Sequence, residues 1–169
     1  MSARTRRARP EERSGGPRIV GFTGARGGMT PAQAEAVDAL LARLEAEAPT
    51  RPLCGLHGDC VGADADFDAI CKRRSIPVKI RPASIPGMRA GCDSEAIAEP
   101  RPPLVRNREI VGDSELLIAC PRTREEVLRS GVWATIRAMR RKGGRIYRVA
   151  PDGVLVIEGG PPMTPAPSA

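Results

Sequence analysis

The chain has 169 residues, enough to bury one hydrophobic core as a single domain. Its formal net charge is +7, and the first 18 residues, with six arginines against two glutamates, carry more than half of it. No apolar run approaches the roughly 18 residues that cross a bilayer, and the five cysteines form no Cys-x-x-Cys pair, which argues against a disulfide framework or a zinc ligand set.

Residues 1–17 read as a disordered Arg-rich tail, suited to solubility or to weak, non-specific contact with nucleic-acid phosphates. They lack the apolar core of a secretory signal, so a cytoplasmic location without membrane attachment is expected. Residues 18–23 are a β-branched and apolar run, a predicted first strand, and a Gly-containing turn follows at 24–28. Thr30 as N-cap, Pro31 at the first helical position and Gln33 at the third open a helix that runs to about Glu47, with Val37, Leu40, Leu41 and Leu44 on its apolar face. A second strand is predicted over 52–57 and a second helix over 62–74, with Ala63, Phe67, Ile70 and Cys71 as its stripe. A third strand covers 77–80. Residues 81–103, rich in Pro and Gly, break the pattern, and an irregular stretch of that length is often functional. The rhythm then resumes with a helix at 104–111, a buried strand at 115–120 and a long helix at 125–142 that Gly143-Gly144 ends. Strands at 145–150 and 154–157 close the domain, and 158–169 reads as a second disordered tail.

Strands alternating with helices predict an α/β fold, a doubly wound and mostly parallel Rossmann-like sheet with helices on both faces. Ligands of such sheets sit beyond the strand carboxyl ends, which singles out the loops at 24–29, 58–62, 82–107 and 121–131. The run His57-Gly58-Asp59-Cys60-Val61-Gly62-Ala63-Asp64 is the most informative. A strand, a Gly-containing turn and a helix in that order aim helix N-terminal amides at an anion. Cys54, His57 and Cys60 lie across a strand end with no second ligand pair, so no metal site is read there. Several residues keep two readings. Asp64 either suits the helix dipole or touches ligand. Asp59 either caps that helix or bonds a ribose hydroxyl. His57 is either catalytic or a packed or solvent-facing histidine. Trp133 is either core or a base-stacking platform.

Four segments together resemble one family. Gly21-Phe22-Thr23-Gly24-Ala25-Arg26, the His57–Asp64 run, Arg106-Asn107-Arg108-Glu109-Ile110-Val111 and the strand ending in Pro121 resemble the SLOG superfamily. That group includes the LOG phosphoribohydrolases and the DNA-processing protein A domain, and the resemblance is nearest to its small stand-alone bacterial and phage members. It spans about residues 18–157 and implies a Rossmann-like fold with a nucleotide or nucleotide-derived phosphate ligand. It places Gly24 and Arg26, then Gly58, Gly62, Ala63 and Asp64, then Arg106 and Asn107 around that ligand. Ser130-Gly131-Val132-Trp133-Ala134-Thr135 corresponds to the Gly-rich phosphate turn, which puts Gly131, Trp133 and Thr135 at the site.

One departure changes the expected chemistry. LOG enzymes carry a glutamate of N-glycosidic cleavage where this chain has Thr135, and a hydroxyl cannot do a carboxylate's work there. The expectation is therefore a nucleotide-binding or sensing module without a bound cofactor. A nucleotide-processing hydrolase using Asp59, Asp64 or Glu109 is the first alternative, and a DNA-binding protein like the DNA-processing protein A domain is the second. Many superfamily members are dimers, and the helix predicted over 125–142 is a candidate interface.

Overall fold

The computed structural model describes residues 16–160. Its elements are β1 (Arg18–Gly24), α1 (Pro31–Glu47), β2 (Leu53–His57), α2 (Ala63–Arg73), β3 (Val78–Ile80), β4 (Ala96–Ile97), α3 (Pro103–Asp113), β5 (Leu116–Cys120), α4 (Gly131–Lys142), β6 (Arg145–Val149) and β7 (Leu155–Glu158). All seven strands join one sheet in the order β4-β3-β2-β1-β5-β6-β7, parallel throughout except where β7 runs against β6. This is the Rossmann-like α/β architecture that the alternation predicts. The expected tails, apart from the few residues next to the domain, lie outside the described residues.

The strands β2 and β5, which flank the central β1, are buried along their whole length, as parallel strands covered on both faces must be. Side chains alternate across the sheet. Leu116 and Ile118 face the layer of α1 and α2, where they meet Leu41, Leu44 and Phe67. Leu117 and Ala119 face the opposite layer, where Val111 of α3 and Trp133, Ile136 and Met139 of α4 cover them. The buried residues of α4 thus pack inside the domain. The α1 start follows the sequence signal: Thr30 accepts from the Gln33 amide while the Gln33 side chain accepts from the Thr30 amide.

Two expectations need correction. The helix predicted over 125–142 starts at Gly131, because the Ser130 side chain caps it by accepting from the Trp133 amide. Residues 125–129 have no core to cover, and Leu128 stands 83% exposed. They form part of a loop instead, where Glu126 pairs with Arg137 and Arg140. The stretch 81–103 is not structureless either. It carries β4, which extends the sheet beside β3, and it folds back on the turn after β2.

Asp59 organises that return. Its backbone takes a positive φ of 55°, a conformation that Asp tolerates better than most residues. Its carboxylate accepts from the Cys92 amide and from Arg89, while the Ala90 amide donates to its carbonyl. Burial pushes the Asp59 carboxyl up, but the Cys92 amide and the Arg89 guanidinium outweigh it and hold the group below its ordinary value. Asp59→Ala is expected to lower stability by about 2–4 kcal/mol, the scale of losing charge-assisted hydrogen bonds in a buried setting. Limited proteolysis should then cut faster between residues 81 and 95. Unchanged cleavage there would show that Asp59 does not hold the segment.

Candidate functional site: a basic cleft at the strand ends

The chain leaves β1 toward β2 on one side of the sheet, while β5 enters on the other. The carboxyl ends of β1 and β5 therefore part, which is where a doubly wound sheet opens a crevice. A cleft of about 710 Å³ occupies this point. The turn after β1, the turn after β2, one face of α3, the loop after β5 and the start of α4 form its walls.

The turn after β2 is arranged differently from the simple helix-terminus site that its sequence suggests. The Gly58 and Cys60 amides both donate to one oxygen of Asp64, at 3.2 and 3.0 Å. The anion in this nest is the protein's own carboxylate. Two further amides are engaged as well: Val61 donates to the Met88 carbonyl and Ala63 to the Ala25 carbonyl. Gly62, at φ 94°, allows that last contact, since a Cβ there would overlap the Arg26 and Ala25 carbonyls. Burial pushes the Asp64 carboxyl above its ordinary value, against the pull of His57, the two amides and Arg106. Asp64 still lines the cleft, whereas Gly62 and Ala63 support it from behind.

Arg106 lies across this turn. It is 6% exposed and donates to the Gly58 carbonyl at 2.9 Å. Gly58 is required here, because a Cβ would occupy the space of the guanidinium. Both terminal nitrogens of Arg106 also lie 3.5 Å from the Cys60 sulfur. Its Nε is buried and has no hydrogen-bond partner, an orphaned donor on a side chain that lines the cleft. Asn107 lies next to it on the same wall, and Gly24 and Arg26 form the wall opposite the loop after β5.

That loop adds Arg122, Thr123, Val127 and Arg129 to the residues the sequence singled out. Among the described residues, none of Arg26, Arg106, Arg122 and Arg129 forms an ion pair with a carboxylate. Several arginines elsewhere are paired, Arg74 with Glu45 and Asp38, Arg81 with Glu109 and Asp113, Arg140 with Glu126 and Glu158, whereas Arg18, Arg73, Arg108 and Arg141 show no such pair among the described residues; what sets the four apart is that they share one cleft. Gly131 and Val132 begin α4 at the cleft, where their amides have no intrahelical acceptor. The space around the Gly131 Cα is open.

The other expected site residues fall as follows. Trp133 and Thr135 line the cleft but are each 2% exposed. The Trp133 indole donates to Thr123, and the Thr135 hydroxyl donates to the Gly131 carbonyl. Asp59 and Glu109 do not line the cleft; Asp59 is bound to Arg89 and Glu109 to Arg81. His57 is fully buried, with Nε2 2.9 Å from Asp68 and Nδ1 accepting from the Asp59 amide. His57, Asp68 and Cys92 offer donor atoms within 4.8 Å of one another. A metal on Nε2 would require a proton on Nδ1, where the Asp59 amide already donates. His57 instead bonds to Asp68 of α2 and accepts from the Asp59 amide, and Asp59 in turn holds the 81–95 segment through the Cys92 amide.

The fold and the cleft define a class: Rossmann-like α/β proteins with ligand space at the strand carboxyl ends. Among solved structures, the molybdenum cofactor binding protein from the phototrophic bacterium Rippkaea orientalis is similar, with a TM-score of 0.59 and 15% identity, over 79% of this chain and 77% of that chain. TM1055, a structural-genomics target, is similar with a TM-score of 0.51 and 10% identity, over 76% of this chain and 72% of that chain. At these identities the likeness is one of fold. No family model matches the sequence, and no curated protein matches it. Among the described residues no helix is long and apolar enough to cross a membrane.

Asp64 gives this site a specific test. Asp64→Ala strands the Gly58 and Cys60 amides and is expected to cost roughly 2–4 kcal/mol. Asp64→Asn keeps an oxygen for both amides and should cost much less. The carboxyl is raised in the folded state above its ordinary value of about 3.9, so folding favours its protonated form. Its contribution is fully present below that ordinary value and is lost as pH rises through the folded-state value. The Asn variant should gain stability relative to the parent as pH rises from about 4 toward 7, read by urea melts. A relative loss with rising pH would contradict this.

Proposed function

We propose that the cleft binds a nucleotide or nucleotide-derived phosphate ligand, and that the protein is a binding or sensing module of the SLOG kind. The observation that carries this reading is the set of four arginines, Arg26, Arg106, Arg122 and Arg129, that line one cleft with no carboxylate partner among the described residues. Guanidinium groups are suited to phosphate through paired N–H donors. The first amides of α4 add an oriented positive end to the same space. The motif order that resembles the SLOG superfamily supports a nucleotide-derived ligand, and the Rippkaea orientalis neighbour is itself a cofactor-binding protein by name.

Binding is favoured over hydrolysis for a structural reason. Carboxylate-driven glycosidic cleavage works with acidic groups at the reacting bond. Asp64 is the one carboxylate among the described residues that line the cleft, and its buried oxygen is already held by two amides.

The test uses ADP as probe and thermal unfolding as readout. At a ligand concentration of about 100 times Kd the native state gains about 2.7 kcal/mol, which corresponds to roughly 5–10 °C for a chain of this size. The double variant Arg122→Ala, Arg129→Ala alters exposed loop residues. It should melt like the parent without ligand and lose most of the ADP shift. Absence of any shift in the parent, with ADP and with a wider nucleotide panel, would overturn the reading.

A further inference from the structure

We infer that the cleft recognises its ligand through two or more phosphates and is indifferent to the base. The inference rests on the phosphate-ligand reading above and deepens it to a ligand class.

Bases are usually held by aromatic stacking or by hydrogen bonds to their edges. Among the described residues, no aromatic face is free for the first. Phe22 and Phe67 stack on each other with ring centroids 4.4 Å apart, and both are buried. Tyr147 is buried in the core. Trp133 reaches the cleft wall, yet Arg148 and Arg140 cover its ring at 5.5 and 5.9 Å.

The Thr123, Ser130 and Thr135 hydroxyls that line the cleft are engaged as well, and Thr23 adds one further hydroxyl to the wall. Thr123 donates to the Glu125 carbonyl and accepts from the Trp133 indole, Thr135 donates to the Gly131 carbonyl, and Ser130 accepts from the Trp133 amide. Asn107 is the one amide side chain on the wall. Against these few neutral groups stand four guanidinium groups, set on three different walls. The buried Nε of Arg106 is the deepest, a donor without a partner on a side chain nine-tenths buried.

Charge balance points the same way. Four cations face a single carboxylate, Asp64. A single phosphate monoester, with at most two charges, cannot neutralise them or reach all three walls. A diphosphate or a doubly phosphorylated ligand supplies the charge and the separated oxygens. Guanidinium planes can also stack on any base without distinguishing one from another.

The experiment measures affinities by calorimetry at one ionic strength for ADP, GDP, CDP, UDP, AMP and inorganic pyrophosphate. The four nucleoside diphosphates are expected to agree within about threefold, AMP to bind at least about tenfold more weakly than ADP, and pyrophosphate to compete with ADP. A spread of about tenfold or more among the four bases, equivalent to about 1.4 kcal/mol, would overturn base indifference and leave the phosphate-ligand reading intact. AMP binding as tightly as ADP would overturn the requirement for a second phosphate. If none of the six probes binds, the inference and the reading beneath it both fall.

Discussion

One buried carboxylate holds the candidate site in shape. The Gly58 and Cys60 amides converge on a single oxygen of Asp64, and this closes the turn after β2. The closed turn presents the Gly58 carbonyl to Arg106 and leaves the glycine's open side for the guanidinium. It also lets the Ala25 carbonyl cap the first amide of α2. Three walls of the cleft are therefore fixed through one side chain. A buried, hydrogen-bonded network of this kind is stable only when its members are satisfied together.

The same arrangement moves the anion-binding capacity of the fold. A helix N-terminus after a Gly-containing turn is an anion site when its amides are free. Before α2 the Gly58, Cys60 and Val61 amides, and at its first position the Ala63 amide, are already paired within the protein. The α4 start is different: its cap is Ser130, the Gly131 surroundings are open, and the flanking loop brings Arg122 and Arg129. The positive end available to a ligand is thus on the β5 side of the sheet, while the β2 side supplies shape and the partly orphaned Arg106. Unpaired arginines in a concave, partly buried space are screened less by salt than arginines on open surface.

Much of the fold was legible because its signals are local and redundant. Apolar runs marked β1, β2, β5 and β6, and the Thr30-Pro31-x-Gln33 signature marked the α1 start within its capping box. The site was legible as a set of loops, since strand order alone places ligand space at their carboxyl ends. Side-chain direction was not. Nothing in the spacing of Asp59 and Asp64 distinguishes a residue turned back to Cys92 and Arg89 from one that fills its own turn. The α4 boundary was missed because Glu125–Arg129 contains good helix formers, and only the missing core contact and the Ser130 cap reveal a loop. Arg129 fell both in the singled-out 121–131 loop and in the predicted helix, and Arg122 in the same loop, but nothing in their spacing marked either as a residue that lines the cleft.

Thr135, at the position where the sequence resemblance leads one to expect a glutamate, acquires a physical meaning from its surroundings. The Thr135 hydroxyl turns back to the Gly131 carbonyl one helical turn earlier, so it closes the first turn of α4 instead of facing a reacting bond. Trp133, two residues before it, is covered by two arginines rather than left as a platform. The α4 start is thereby a rigid wall whose polar side chains serve the helix itself. What it offers a ligand is backbone N–H and the nearby guanidinium groups, and those read charge and geometry. Groups of this kind suit phosphate oxygens, which is why the binding reading is proposed in place of a glycosidic one.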